Sequence, residues 1–243
     1  LSPLITCSVT FMLTLWVIGP VTAGMTKGLS LVLNYLEDLN AIAFSGILGI
    51  IWQLVLMTGM QYAVLPIILT NLSTLGYDTT LSSTFGYNFA QIGAVLAIRC
   101  KTKDQELKKM CLPSVIPAAA GVVELALYGV TLKKKSVFII TSIVTGITGI
   151  GMTLSGVHAY RLVGFGVFGY TAYANQQTGD YTGMIWAVVW SIIAIILSFI
   201  LVLLSYKDDI KVNKEKESAD IKADKKPDEI KDEKESADIK TDN

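Results

Sequence analysis

The sequence predicts an all-α integral membrane protein, a polytopic helical bundle with re-entrant hairpins. Three observations lead there. Fifty-two per cent of the 243 residues are apolar and only 16% are charged, whereas an ordinary soluble domain carries about a quarter charged residues. Four apolar runs have the length of about 20 residues that a bilayer-crossing helix needs, at 3–25, 39–60, 136–156 and 183–206. The cations of the apolar region fall mainly into dense clusters between such runs, the pattern of cytoplasmic loops.

Charge divides the chain in two. Residues 1–206 hold 10 Lys/Arg and 7 Asp/Glu, and residues 207–243 hold 10 and 13. The body is therefore net +3 and the tail net −3, and the overall zero is a cancellation. This composition argues against a soluble globular enzyme, a secreted disulfide scaffold and a nucleic-acid binder. It gives two regions, a membrane-embedded domain over 1–206 and a charged, disordered cytoplasmic tail over 207–243. The tail repeats K-E-S-A-D-I-K at 216–222 and 234–240. The three cysteines, Cys7, Cys100 and Cys111, form no C-x-x-C and read as inert thiols. The chain opens at Leu1 with neither a basic n-region nor an A-x-A site, so its first run is not a signal peptide, and the sequence reads as the C-terminal part of something longer.

Weaker apolar segments lie at 62–72, 81–98, 112–132 and 162–174, each short or broken by Pro, Gly or polar groups. Orientation follows from the cations. Arg99, Lys101, Lys103, Lys108 and Lys109 form one cluster, Lys133, Lys134 and Lys135 a second, and Lys207 opens the tail. All three are expected in the cytoplasm, with Lys27 on the same side and Tyr77–Asp78 outside. About 22 residues separate the first two clusters. One span would put them on opposite faces; a re-entrant hairpin would return the chain to the face it left. Pro113, Pro117, Gly121 and Gly129 favour the hairpin, and non-helical backbone at membrane depth is tolerated only against protein or a water-filled cavity. The alternative is one kinked span that breaks the charge rule. The 62–72 segment, with Pro66 and then Asn71, reads as a second re-entrant element.

Six of the seven body carboxylates fall in loops or at span ends: Glu37, Asp38, Asp78, Asp104, Glu106 and Asp180. Glu124 alone has apolar sequence on both sides. An intramembrane carboxylate is costly unless satisfied, which makes Glu124 the candidate catalytic residue; the alternative is a surface glutamate. The amides Gln61, Asn71, Asn88 and Gln91 suit a ligand whose hydroxyls need both donors and acceptors, such as a sugar, and suit helix–helix hydrogen bonding equally well. His158, the single histidine, is expected on the outer side, and no metal-ligand cluster, phosphate loop or nucleotide fingerprint is present. Trp52, Trp186 and Trp190 read as packing or interface residues rather than sugar platforms.

Five segments carry a resemblance: G-M-Q-Y-A-V-L-P (59–66), N-L-S-T-L-G-Y-D (71–78), N-F-A-Q-I-G-A-V-L-A (88–97), K-T-K-D-Q-E-L-K (101–108) and A-G-V-V-E-L-A-L-Y-G-V-T-L-K (120–133). V-I-G-P (17–20) and G-V-H-A-Y (156–160) fit as well. In this order and spacing they resemble enzyme IIC, the membrane subunit of the bacterial sugar phosphotransferase system, in its glucose superfamily and closest to the β-glucoside type. The resemblance implies the C-terminal, sugar-binding half of a ten-span subunit that dimerises through its first half. It implies a multi-pass protein of the bacterial plasma membrane with a cytoplasmic tail. It also implies a sugar substrate, IIB and IIA partners, no cofactor, no metal and no nucleic acid. The family's G-[IV]-T-E-P reads Gly121-Val122-Val123-Glu124-Leu125 here, so the Glu is kept while Thr and Pro are replaced. The family's His-Trp pair stands as Gln61-Tyr62, and of two family asparagines Thr70 replaces the first and Asn71 keeps the second. The implied substrate-binding set is Gln61, Asn71, Asn88, Gly121, Val122 and Val123, with Glu124 as hydrogen-bond acceptor and general base. The phosphocysteine motif of IIB does not occur in this sequence, so protein-phosphohistidine–sugar phosphotransferase activity would belong to a complex. A degenerate, non-transporting binding or regulatory protein on the same scaffold is the alternative.

Overall fold

The computed structural model describes residues 2–14, isolated positions between 16 and 35, and 40–206 apart from Gln177. The charged tail, Lys27, Glu37 and Asp38, and most of the first apolar run beyond residue 14 lie outside the described residues. What is described is helical, with no strand beyond isolated bridges. Helix α1 is Ser2–Leu13. Helix α2, Ala41–Met57, starts where the Asn40 side chain accepts from the Ile42 and Ala43 amides, at 3.0 and 3.1 Å, as an N-cap does. Helix α3 is Gln61–Thr74, α4 Thr80–Thr84 and α5 Gly86–Lys101. Helix α6, Gln105–Ala120, starts on the Asp104 cap. Helix α7, Glu124–Ala126, runs into a π turn at Leu127–Thr131. Helices α8, Lys135–Leu154, and α9, Thr182–Ser205, complete the bundle.

Among the described residues, α8 and α9 are long and apolar enough to cross a membrane, and α2 is apolar but shorter. Helices α2 and α8 pack antiparallel through small residues. A Cβ at Gly49 would lie 2.9 Å from the Gly146 Cα, so the backbones approach as closely as small-residue interfaces in membranes allow. Hydroxyls and an amide hold the same seam, with Ser142 Oγ and Thr141 Oγ1 donating to Gln53 Oε1 at 2.8 and 3.0 Å, and α4 joins α2 where Ser83 Oγ donates to Ser45 Oγ at 2.8 Å.

The segment between the first two basic clusters turns back on itself. Helix α6 ends at Gly121, whose φ of +104° is the left-handed backbone that glycine adopts without penalty. Val122 N donates to Pro117 O at 2.8 Å and Gly121 N to Ala118 O at 3.1 Å, which closes a Schellman motif. The chain then runs back beside α6, and Lys133 Nζ comes to 4.0 Å from Met110 Sδ. Both ends of the segment therefore sit together. At the same end, Arg99 donates to Lys108 O at 3.3 Å, Lys101 to Leu203 O at 2.6 Å, and Lys134 lies over the Tyr206 ring at 5.6 Å. The two basic clusters and the C-terminal end of α9 thus gather at one pole of the bundle. At the other pole Asp78 bridges to Ala159, and the Tyr77 and His158 rings are 4.6 Å apart. In the loop leading to α9, the Thr182 hydroxyl and amide hydrogen-bond the exposed Asp180 carboxylate and hold its pKa below the usual carboxylate range.

Three expectations are corrected. The 62–72 segment makes no reversal; it is part of the single helix α3, which continues through Pro66. The 162–174 run is no span but a loop with positive φ at Gly164 and Gly166, followed by a 3-10 turn at Val167–Tyr173. Glycines at 164, 166 and 169 let it fold inward instead of continuing as a helix. Asp78 is not a solvated outer-loop acid: it is 1% exposed. Its carboxylate accepts from the Leu81 amide at 2.6 Å and from Asn71 Nδ2 at 3.0 Å, so the protein supplies what water would have supplied.

Candidate functional site

A cleft of about 240 Å³ lies where six elements converge. Helix α2 contributes Trp52 and Leu56, and α3 contributes Gln61, Tyr62, Leu65 and Ile68. The spacing 61, 65, 68 puts three of these on one face of a 3.6-residue helix. Leu81 comes from α4, and Tyr87 and Asn88 from the start of α5. The hairpin turn contributes Gly121, Val123 and Glu124, and the inward-folded loop Leu162 and Phe165. The size is below the roughly 300–1,000 Å³ of clefts for drug-sized ligands, which suits a small ligand.

The lining is mostly apolar and aromatic, with a few polar side chains: Gln61, Asn88 and Glu124. That is the mixture a pyranose takes, since its C–H faces pack on aromatic rings while its hydroxyls need donors and acceptors. Glu124 is solvent-accessible where it opens on the cleft, rather than sealed in apolar surroundings as its sequence context suggests. It stands at the first position of α7, immediately after the turn, so the hairpin tip fixes where its carboxylate starts.

The tip is itself seated on backbone. A Cβ at Gly121 would lie 2.7 Å from the Phe165 carbonyl carbon, and one at Gly166 would lie 2.7 Å from the Ala120 carbonyl carbon. Two glycines thus let the hairpin tip and the 160–173 loop touch main chain to main chain. The loop is anchored in turn on α4 and the start of α5: the Phe85 and Tyr173 rings are 4.8 Å apart, Phe89 and Tyr170 stack at 5.6 Å, and Tyr173 donates to Leu81 O at 3.3 Å. Trp52 and Phe165, 6.4 Å apart, form one wall.

Of the sequence-derived site residues, Glu124, Gln61, Asn88, Gly121 and Val123 line this cleft. Asn71 and Val122 are not among its lining residues. Val122 is mostly exposed, and the Asn71 amide is engaged with buried Asp78. Asp78→Ala should therefore lower stability by about 2–4 kcal/mol, since it strands a buried amide and uncaps α4. Thermal melting in detergent should show that loss while ligand binding per folded molecule persists. Tyr87, Trp52, Leu162 and Phe165 were missed by the sequence reading. Trp52 reads as packing in the sequence, and the glycines of 164–169 are the signal that could have flagged the loop. No group of three or more His, Cys, Asp or Glu able to hold a metal occurs among the described residues.

Residues 1–146 match the family described as Phosphotransferase system, EIIC. This chain belongs to that family, whose members are membrane components of the phosphotransferase system. The β-glucoside-specific EIIBCA component of Halalkalibacterium halodurans is 34% identical over 188 residues, 77% of this chain and 29% of that protein. The β-glucoside-specific EIIBCA component of Bacillus subtilis is 32% identical over 145 residues, 60% of this chain and 24% of that protein. The arbutin-, cellobiose-, and salicin-specific EIIBC component of Escherichia coli is 28% identical over 170 residues, covering 69% of this chain and 35% of that protein. The EIIC chain thus spans between a quarter and about a third of the length of these relatives. No solved structure matches it.

Proposed function

We propose that this EIIC protein binds a β-glucoside in the cleft at the hairpin tip and positions the sugar's primary hydroxyl for phosphorylation by a phosphorylated IIB partner. The reading is supported above all by the convergence on one small aromatic-walled cleft of Glu124, Gln61 and Asn88, from three separate stretches of the chain. The mixed lining favours an aryl glucoside, whose ring would lie on the Trp52–Phe165 wall while its hydroxyls meet the polar groups. Glu124 would accept a hydrogen bond from the reacting hydroxyl and act as its general base. Asn88 and Gln61 would orient the ring. Asn71, in this reading, supports the site through Asp78 and does not touch sugar. A neutral amide at 61 cannot take over imidazole proton chemistry, and this favours the second reading, a scaffold that still binds sugar but no longer transfers phosphate.

The same reading makes α6 and the return arm a re-entrant hairpin of a multi-pass bundle in the bacterial plasma membrane. The pole that gathers residues 99–109 and 133–135 would face the cytoplasm, with the 207–243 tail, the IIB and IIA partners, and any second copy of the subunit in a dimer arranged around it. Single cysteines at 103 and 134 on a Cys-free background should resist a membrane-impermeant maleimide in sealed cells and react after permeabilisation. Labelling of either position in sealed cells would exclude the hairpin topology. Uptake of labelled arbutin with accumulation of its phosphate, dependent on phosphoenolpyruvate, tests the function. Arbutin bound but never phosphorylated would select the second reading.

A further inference from the structure

Helix α5 carries four buried polar atoms without a hydrogen-bond partner within five residues: the Tyr87 hydroxyl, Asn88 Nδ2, and Nε2 and Oε1 of Gln91. Tyr87 and Asn88 are each 2% exposed and Gln91 is fully buried. Buried polar groups are normally paired, so four exceptions on one turn of one helix call for a reason. Tyr87 and Gln91 are four residues apart, on the same helix face. Tyr87 and Glu124 line the same cleft, from α5 and from the hairpin turn. The donor inventory orders the three groups. A glutamine amide only donates through nitrogen, a phenol both accepts and donates, and an ionised carboxylate only accepts.

We infer that Tyr87 is a positioning residue for Glu124, its hydroxyl accepting from Gln91 and donating to one carboxylate oxygen when a glycoside is bound. The second carboxylate oxygen is then left for the sugar hydroxyl, in a direction set by α5 rather than by the glutamate's own rotamers. This rests on the proposed function, because it assigns Tyr87 a part in the same site. Packing alone explains a buried tyrosine ring, but it does not explain a buried, unpaired hydroxyl on a residue that lines the same cleft as Glu124. A purely structural tyrosine at this position would be improved by losing the hydroxyl.

The test uses the full-length protein, purified in detergent and titrated with arbutin, as wild type, Tyr87→Phe, Glu124→Ala and the double variant. Tyr87→Phe should leave the melting temperature without ligand unchanged or raised, and should weaken arbutin binding about 10-fold, the scale of one charge-assisted hydrogen bond. The double variant should bind no more weakly than Glu124→Ala alone, because without the carboxylate the hydroxyl has nothing to position. Arbutin binding by Tyr87→Phe equal to wild type overturns the assignment, as does a loss that multiplies with that of Glu124→Ala. A lowered ligand-free melting temperature with unchanged affinity per folded molecule makes Tyr87 structural. Wild-type protein that binds neither arbutin, salicin nor cellobiose overturns the function and this assignment together, whereas wild-type binding with an unaffected Tyr87→Phe overturns this one alone.

Discussion

Glu124→Gln is expected to weaken glycoside binding by about 1–3 kcal/mol and to reduce phosphorylation of the bound sugar by a further factor of roughly 10²–10⁴. The split follows from what the substitution removes. Glutamine keeps the shape and one acceptor oxygen, so most of the ground-state contact survives. It loses charge and basicity, which matter most as the sugar hydroxyl gives up its proton in the transition state. Because the carboxylate opens on the cleft rather than into the packed core, folding yield should stay near wild type. A glutamate serving only the fold would show the reverse, with reduced yield and normal turnover per folded molecule. The two cases are separated by measuring binding and phosphorylation on matched amounts of monodisperse protein.

The second large effect is at the hairpin tip. Gly121→Ala should destabilise the protein by roughly 3 kcal/mol or more and empty the cleft of binding activity. Two costs combine. The backbone at φ +104° is unfavourable for any L side chain, at about 1–2 kcal/mol. The new Cβ would also meet the Phe165 carbonyl group, with its carbon at 2.7 Å, and main chain cannot step aside as a side-chain end can. Gly179→Ala is the matched control. It has φ +71° but nothing within 4 Å of the added atom, so it should cost only the conformational part. Equal melting shifts for the two variants would mean that the hairpin tip does not rest on the loop.

The large features of the bundle were legible because they follow from local chemistry. Apolar run length marked α2, α8 and α9 to within a few residues, and the Asn40 and Asp104 caps close on their neighbours as such residues do. At Gly121 the expectation rests on Pro113, Pro117, Gly121 and Gly129, in a segment whose flanking basic clusters both favour one membrane face. Burial created by tertiary contact could not be read. Asp78 looks like a solvated turn acid in sequence, yet it is buried because Asn71, seven residues earlier, folds over it. The 162–174 run has enough apolar residues to suggest a span, and only its neighbours decide that it folds inward onto α4 and the start of α5. Tyr87 gave no signal because an aromatic residue at a helix start is ordinary; what singles it out is a buried, unpaired hydroxyl on a residue of the cleft that Glu124 also lines. Among the amides, sequence could not separate Asn88, which reaches the cleft, from Asn71, which is engaged with Asp78 at the pole opposite the basic clusters.

The central claim is that this cleft is where the glycoside binds. Leu65 is 37% exposed and lines the cleft from α3, so a larger side chain there fills the space without overpacking the core. Equilibrium binding of labelled arbutin to purified wild type and Leu65→Trp measures the claim directly. The account predicts saturable binding of one arbutin per wild-type chain and its loss in Leu65→Trp, with the two proteins melting at the same temperature. Saturable binding that survives in a folded Leu65→Trp protein would contradict it.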